Sequence, residues 1–184
     1  MNVVTLIGSL RAASHNRQLA DAAVALLPAG SQAADVDFST LPFYSEELDV
    51  EGHTPAPVQK LRQELAAADA VIVATPEYNG SLPGGLKNAI DWASRPYGRG
   101  ALVGKPVLVV GASMSPYAAK WARGDAVRAL GVAGAKAIDD TVGLGSSHEI
   151  FGAGNALPED TLEALRAGVA TLVAAVEQAN LQAA

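Results

Sequence analysis

The chain has no cysteine among its 184 residues. Disulfides, thiolate nucleophiles and cysteine-ligated metals are therefore excluded. Positive charge is also scarce, because 13 lysines and arginines face 19 aspartates and glutamates and leave a formal net charge of −6. The lysines and arginines form no cluster along the chain. Since nucleic acids and anionic membranes attract clustered positive charge, we expect neither as a partner.

Long apolar runs are absent as well. The longest, residues 168–176, is far shorter than the roughly 18 residues that a membrane-spanning helix requires. The first residues carry neither a charged leader nor the small-residue cleavage pattern of a signal peptide. With 49% hydrophobic and 17% charged residues, the composition is that of an ordinary globular protein. The sequence therefore predicts a cytoplasmic protein.

The common catalytic motifs are missing too. The chain has no Gly-x-Ser-x-Gly of a hydrolase, no phosphate-loop lysine of a nucleoside-triphosphatase and no Gly-x-Gly-x-x-Gly of a dinucleotide site. His15, His53 and His148 are not spaced as ligands of one metal. Asp139 and Asp140 end a weak apolar run, where solvated carboxylates are more common than a catalytic pair. We therefore predict neither a catalytic side chain nor a metal site.

Short β-branched runs are the clearest structural signal. Residues 2–7, 70–74 and 106–110 are apolar without alternation, which is typical of parallel strands buried on both faces. Residues 34–38 and 135–140 alternate more and suit outer strands. The sequence therefore predicts a parallel sheet of five strands.

Apolar stripes at helical spacing lie between these runs and after the last of them. Residues 118–130 predict the fourth helix, which Gly131 ends. The glycine-rich residues 142–158 predict a long loop, in which we find no chemistry. Five alternations of strand and helix without a break in composition predict one domain, residues 1–184. The fold class is a doubly wound α/β sheet with helices on both faces.

The first strand is followed by a polar segment, residues 8–16, that leads into a helix. Ser9, Arg11, Ser14 and Asn16 supply four donor side chains within it. The N–H groups at a helix start carry partial positive charge and bind anions. Ser14 or Asn16 alone fits a plain helix cap, but capping does not account for all four donors. The segment predicts a phosphate site.

Two further strand exits meet the same edge of such a sheet, where ligands of doubly wound folds bind. In residues 75–96, Tyr78 places an aromatic ring at the expected ligand site, and Asn79-Gly80 favours positive φ. The Asn79-Gly80 pair by itself is better explained as a turn. In residues 111–118, Ser113 either faces a ligand or caps a helix.

Together these segments resemble the NADPH-dependent FMN reductase family, which has a flavodoxin-like fold and includes chromate, quinone and azo-dye reductases. The resemblance covers nearly the whole chain. Its strongest parts are GSLRAASHNRQLA (residues 8–20) and PEYNGSLPGGLKNAIDW (residues 76–92), with LPFY (residues 41–44) between them. The third exit departs from the family pattern, because residues 114–119 hold none of the glycines that family members often carry there.

The resemblance implies an enzyme in which hydride passes from NADPH, with NADH as an alternative, through FMN to an acceptor. The acceptor is a small molecule such as a quinone, free flavin, azo dye or chromate. Ser9, Arg11, Ser14 and Asn16 would hold the FMN phosphate. The cofactor-binding set implied by the family comprises Ser9, Leu10, Arg11, Ser14, Asn16, Pro76, Glu77, Tyr78, Asn79, Gly80 and Ser113.

Two other functions remain open at this point. A flavodoxin-type electron carrier would bind FMN without using NAD(P)H, although Arg11 is unusual for such a loop. A binding module would use the fold for interaction alone. The resemblance also implies a homodimer or homotetramer, for which Trp92, Tyr97 and Trp121 are candidate interface residues or, equally, core residues.

Overall fold

The computed structural model describes residues 1–183, so Ala184, the last residue of the predicted domain, lies outside the described residues. The strands are β1 (Asn2–Ile7), β2 (Gln32–Asp35), β3 (Ala70–Ala74), β4 (Pro106–Ala112), β5 (Lys136–Ala137) and β6 (Val142–Leu144). The helices are α1 (His15–Val24), α2 (Ala56–Ala67), α3 (Gly84–Ala93), α4 (Lys120–Val132), α5 (Ser147–Ile150) and α6 (Glu159–Ala183).

The strands form one parallel sheet in the order β2-β1-β3-β4-β5, with β6 also paired to β4. The chain moves outward from β1 to β2 and then crosses to β3 on the other side of β1. The order therefore reverses between β1 and β3, which is where doubly wound folds bind ligands. The predicted fold class is confirmed.

Apolar side chains fill both faces of the sheet. One face packs against α2, α3 and α4 through side chains such as Leu61 and Trp92. The other packs against α1 and α6 through side chains such as Leu19 and Leu165. All five residues of β3 are buried, as a strand covered on both faces requires.

The outer strands differ from the prediction. The strand predicted at residues 34–38 lies at Gln32–Asp35, although Val36 continues the pairing by donating its N–H to the Thr5 carbonyl at 3.0 Å. The last strand, predicted at residues 135–140, is split into β5 and β6, which lie along the same edge of β4. Residues 142–158 are therefore not one loop, since they begin with a strand and contain α5.

The fourth helix is also displaced. It begins at Lys120 rather than at residue 118, and Gly131 lies inside it. The glycine that ends α4 is Gly134, whose φ is +90°. The Ala135 N–H next to it donates to the Leu130 carbonyl at 3.0 Å, which closes the helix end. The prediction from the sequence ended the helix at Gly131, three residues before Gly134.

Candidate functional site

A cavity of about 320 Å³ opens at the carboxyl ends of β1, β3 and β4. All three predicted strand exits line it, together with α5. Its predicted members are Ser9, Arg11, Asn16, Pro76, Glu77, Tyr78 and Ser113. The predicted residues outside its lining are Leu10, Ser14, Asn79 and Gly80. Residues of the lining that the sequence did not indicate are His15, Ala112, Met114, Ser115 and Ser147.

The first strand exit contains several donors without a hydrogen-bond partner in residues 1–183. Ser14 caps α1, since its side chain accepts the Arg17 N–H at 3.2 Å. The backbone N–H groups of Leu10, Arg11 and His15 have no acceptor in the described part of the chain. The Arg11 side chain is exposed, and within residues 1–183 its one hydrogen bond is to the Ala13 carbonyl, at 2.8 Å. The exit therefore keeps a cation and several N–H groups available for an anion.

Gly8 allows this exit to pass close to the second one. Its N–H donates to the Ala74 carbonyl at 2.7 Å. A Cβ on Gly8 would lie 3.1 Å from both the Leu86 and the Pro76 side chains. Only glycine fits such an approach without displacing its neighbours.

Asn16 has a positioning role in this structure. Its buried amide donates to the Ala112 carbonyl at 2.9 Å and accepts the Ala112 N–H at 2.8 Å. These two bonds tie the start of α1 to the end of β4. The prediction that Asn16 contacts phosphate stays a prediction.

The second exit contains a tight hairpin. Asn79 and Gly80 have φ values of +53° and +75°, as a two-residue hairpin turn requires. Tyr78 and Ser81 flank them and exchange backbone hydrogen bonds at 3.0 and 3.2 Å. The turn that the Asn79-Gly80 pair predicts is therefore present. It leaves the Tyr78 side chain 57% exposed beside the cavity.

Glu77 connects the second exit to the third. Its carboxylate accepts the backbone N–H groups of Trp121 at 2.9 Å and Ala122 at 3.1 Å. Both belong to the first turn of α4, whose N-cap residue, Ala119, supplies no side-chain cap. Glu77 thus caps a helix that begins more than forty residues later in the chain.

The third exit is folded in a conformation that glycine normally adopts. Ala118 and Ala119 have φ values of +54° and +53°, a left-handed conformation that costs a non-glycine residue about 1–2 kcal/mol. Ser113 holds the segment together, because its hydroxyl donates to the Ser115 carbonyl at 2.9 Å and accepts the Ala119 N–H at 3.2 Å. The segment in which the resemblance implies glycines therefore contains two alanines in a strained conformation.

Arg123 holds this strained segment in place through hydrogen bonds. Its Nε donates to the Ala118 carbonyl at 2.9 Å, and Nη1 donates to the Thr141 carbonyl at 3.0 Å. The side chain passes Gly111 of β4 and Gly143 of β6, where a Cβ would lie only 2.8 and 2.6 Å from it. Burial lowers the pKa of Arg123, and the nearby Glu77 carboxylate opposes that shift.

His15 is not solitary in the fold. Its Nδ1 lies 2.9 Å from the Ser147 hydroxyl, in the segment where the sequence revealed no chemistry. The pair joins the first strand exit to α5, and both residues line the cavity. A separation of 132 residues explains why the sequence gave no signal for it.

The candidate interface aromatics fall into two groups. Trp92 is fully buried and donates its indole N–H to the Pro42 carbonyl at 2.8 Å, so it belongs to the core. Tyr97 is 84% exposed and Trp121 is 51% exposed.

Within residues 1–183, no group of histidine, aspartate and glutamate side chains is arranged to hold a metal ion. Over the same residues, no helix is both long and apolar enough to cross a bilayer.

Comparison with known proteins identifies the family. The model of the NADPH-dependent FMN reductase family matches residues 1–149. The chain belongs to this family. Both predicted loop motifs and the cavity lie within the matched region.

Individual relatives of this chain carry names that agree with the family. It is 42% identical over 114 residues to a 2-hydroxy-1,4-benzoquinone reductase of Burkholderia, covering 62% of this chain and 61% of the relative. It is 44% identical over 113 residues to an NAD(P)H-dependent FMN reductase of Pseudomonas aeruginosa, covering 61% and 60%. The alignments thus span about three fifths of these curated relatives.

A solved structure matches over nearly the whole length. FerB of Paracoccus denitrificans, described as a flavoenzyme NAD(P)H:(acceptor) oxidoreductase, superposes with a TM-score of 0.83 and 31% identity. The match covers 96% of this chain and 97% of FerB.

The cavity of this family member fits the chemistry of FMN. A phosphate monoester is dianionic near pH 7.5, because its second pKa is about 6. The first strand exit offers the Arg11 guanidinium and unpaired N–H groups for such a charge. The cavity's other side, with Pro76 and Tyr78, offers apolar and aromatic surface suited to a flat ring.

Proposed function

We propose that this protein is an FMN-dependent NAD(P)H oxidoreductase that reduces a small-molecule acceptor, with a quinone as the first candidate. One observation carries the proposal. The exit after β1, with Arg11 and its unpaired N–H groups, and the Tyr78 hairpin after β3 line a single cavity at the point where strand order reverses. A flavin mononucleotide requires this combination of a phosphate site and a surface for its ring.

The residues divide the work of binding. Arg11 and the free N–H groups of the first exit hold the phosphate through charge-assisted hydrogen bonds. The Asn79-Gly80 turn brings backbone close to the ring, and Tyr78 borders the open side of the cavity. Ser9 and Ser113 add hydroxyl groups to the lining.

FMN, when bound, supplies the redox chemistry, since a flavin accepts a hydride from NAD(P)H and passes electrons to an acceptor. The protein binds and orients this cofactor. Glu77 fixes the second exit to α4, and Asn16 fixes α1 to β4. No side chain is required to act as a nucleophile or acid, which agrees with the absence of such motifs in the sequence.

The choice of acceptor and donor is supported by the relatives. The Burkholderia relative is named for a benzoquinone substrate, and FerB for an unspecified acceptor. The family description names NADPH, whereas the Pseudomonas aeruginosa relative is described as NAD(P)H-dependent. We therefore propose NADPH as the donor with NADH as an alternative, and free flavin, azo dyes and chromate as further acceptors.

We propose a homodimer or homotetramer as the working assembly. Trp121 supports it, because its ring packs 5.3 Å from that of Tyr117 and the two exposed aromatics form a small apolar patch. Tyr97, which is also exposed, is a further candidate interface residue. The cytoplasmic location stays a prediction.

The function is tested with purified protein and added FMN under anaerobic conditions. We expect FMN to bind, its yellow colour to bleach on addition of NADPH, and a benzoquinone to restore it. Binding of FMN without bleaching by either NADPH or NADH would favour the flavodoxin-type carrier. Failure to bind FMN at all would favour a binding module.

A further inference from the structure

The His15 imidazole and the Ser147 hydroxyl are within hydrogen-bonding distance of each other in the lining of the cavity. Nδ1 of His15 lies 2.9 Å from Oγ of Ser147, and Ser147 is only 1% exposed. The imidazole also packs against the Phe151 ring, with a centroid distance of 5.7 Å. Because its neighbours fix the ring on two sides, His15 has a defined orientation rather than that of a free surface histidine.

The pair shares the cavity with the anion-binding exit. His15 is the first residue of α1, directly after the cap Ser14, and it lines the same cavity as Arg11. Because Nδ1 is engaged by Ser147, Nε2 is the polar atom of the ring that remains for a ligand. The partial positive charge of the helix start lies at the same place.

The surroundings of His15 favour the neutral form of its imidazole. Burial, followed by the positive charges of Arg11 and His148, holds the pKa of His15 below its ordinary value. Arg11 faces it from the first strand exit and His148 from α5, where Glu149 lies 3.8 Å from His148. A phosphate dianion entering among these groups would reverse the balance, since a nearby negative charge favours the charged imidazolium.

We propose that His15, oriented by Ser147, is a further phosphate-binding residue, which takes up a proton as FMN enters and then donates to the phosphate as a cation. The inference rests on the proposed function, because FMN is the ligand that brings the phosphate. It makes the binding of FMN, but not of riboflavin, dependent on a proton.

Isothermal titration calorimetry tests the proton directly. The full-length protein is titrated with FMN at pH 7.5 in buffers of different ionisation enthalpy, where the phosphate itself is fully dianionic. We expect wild-type protein to take up between about half a proton and one proton per FMN and essentially none per riboflavin. His15→Gln and His15→Asn cannot titrate, so FMN should bind to them without that uptake.

Both variants remove the titrating group, and they retain a hydrogen-bonding amide at different places. Glutamine places an amide near Nε2, and asparagine places one near Nδ1, so the Ser147 contact is retained in the second. Both should bind FMN about ten-fold more weakly at pH 6.5, with a smaller loss at pH 8.5, and should bind riboflavin as the wild type does. His53→Gln is the matched control, because His53 is exposed and lies outside the cavity lining.

The outcomes distinguish this inference from the function beneath it. If wild-type protein binds FMN without proton uptake, or the His15 variants take up the same proton, the inference is wrong and the proposed function stands. If wild-type protein does not bind FMN, the proposed function itself is wrong, and the inference falls with it.

Discussion

Two segments that line the same cavity are held in place in opposite ways. The first strand exit is held without a side-chain cation, by the Ser14 cap, the close packing of Gly8 and the bonds between Asn16 and Ala112. The third exit has two alanines in a left-handed conformation and depends on Arg123 and Glu77, which lie on other segments. The first therefore leaves its cation, Arg11, free for a ligand, whereas the third uses its cation for support.

The largest expected effect comes from a substitution that removes the support of the third exit. Arg123→Met removes the donors to the Ala118 and Thr141 carbonyls in a partly buried site. We expect the free energy of unfolding to fall by about 2–4 kcal/mol, measured by urea denaturation. Arg128→Ala on the same helix is the control, because its 72%-exposed side chain should contribute less than about 0.5 kcal/mol. Equal effects of the two variants would refute the supporting role of Arg123.

The corresponding arginine of the first exit, Arg11, should affect FMN binding instead of the stability of the fold. Arg11→Ala removes an exposed side chain with one hydrogen bond in the described residues, so the free energy of unfolding should change by less than about 0.5 kcal/mol. A hydrogen bond to a charged group contributes about 1.5–3 kcal/mol, so FMN should bind roughly ten- to a hundred-fold more weakly.

Riboflavin provides the check on this assignment. It lacks the phosphate, so its affinity should be the same for the Arg11→Ala variant and the wild type in a fluorescence titration. Equal losses for FMN and riboflavin would show that Arg11 does not contact the phosphate.

The smallest effect concerns backbone strain. Ala118→Gly relieves a left-handed alanine, at the cost of a more flexible unfolded chain. We expect a net gain in the free energy of unfolding of about 0.5 kcal/mol. Ala13→Gly in the first exit is the opposite case, because Ala13 has no positive φ and should lose a similar amount. Urea denaturation of both variants gives the two signs, and a loss at Ala118 would contradict the strain.

A contrast between local patterns and contacts distant in sequence explains which features the sequence could predict. The bounds of β1 and β3 agree with the apolar runs at residues 2–7 and 70–74, because strands buried on both faces leave an unbroken apolar pattern. The three strand exits that line the cavity follow from strand order and polarity. Each of their local signals is contained within a few residues, since the Ser14 cap involves Arg17 and the Asn79-Gly80 turn is closed by Tyr78 and Ser81.

The remaining features depend on contacts distant in sequence. The bond from Glu77 to the start of α4 spans 44 residues, and the His15–Ser147 pair spans 132. The last strand splits into β5 and β6, and the Arg123 side chain reaches the Thr141 carbonyl between them. No periodicity within a short window encodes such contacts.

The central claim is that this protein binds and orients its cofactor without a catalytic side chain of its own. Stopped-flow reduction of bound FMN by saturating NADPH tests it in Glu77→Gln, Tyr78→Phe and Asn79→Ala. We expect each rate to fall by less than about a hundred-fold, or about 2.7 kcal/mol in the barrier, because hydride transfer depends on positioning. A variant that retains its FMN yet is reduced about a thousand times more slowly would contradict the claim.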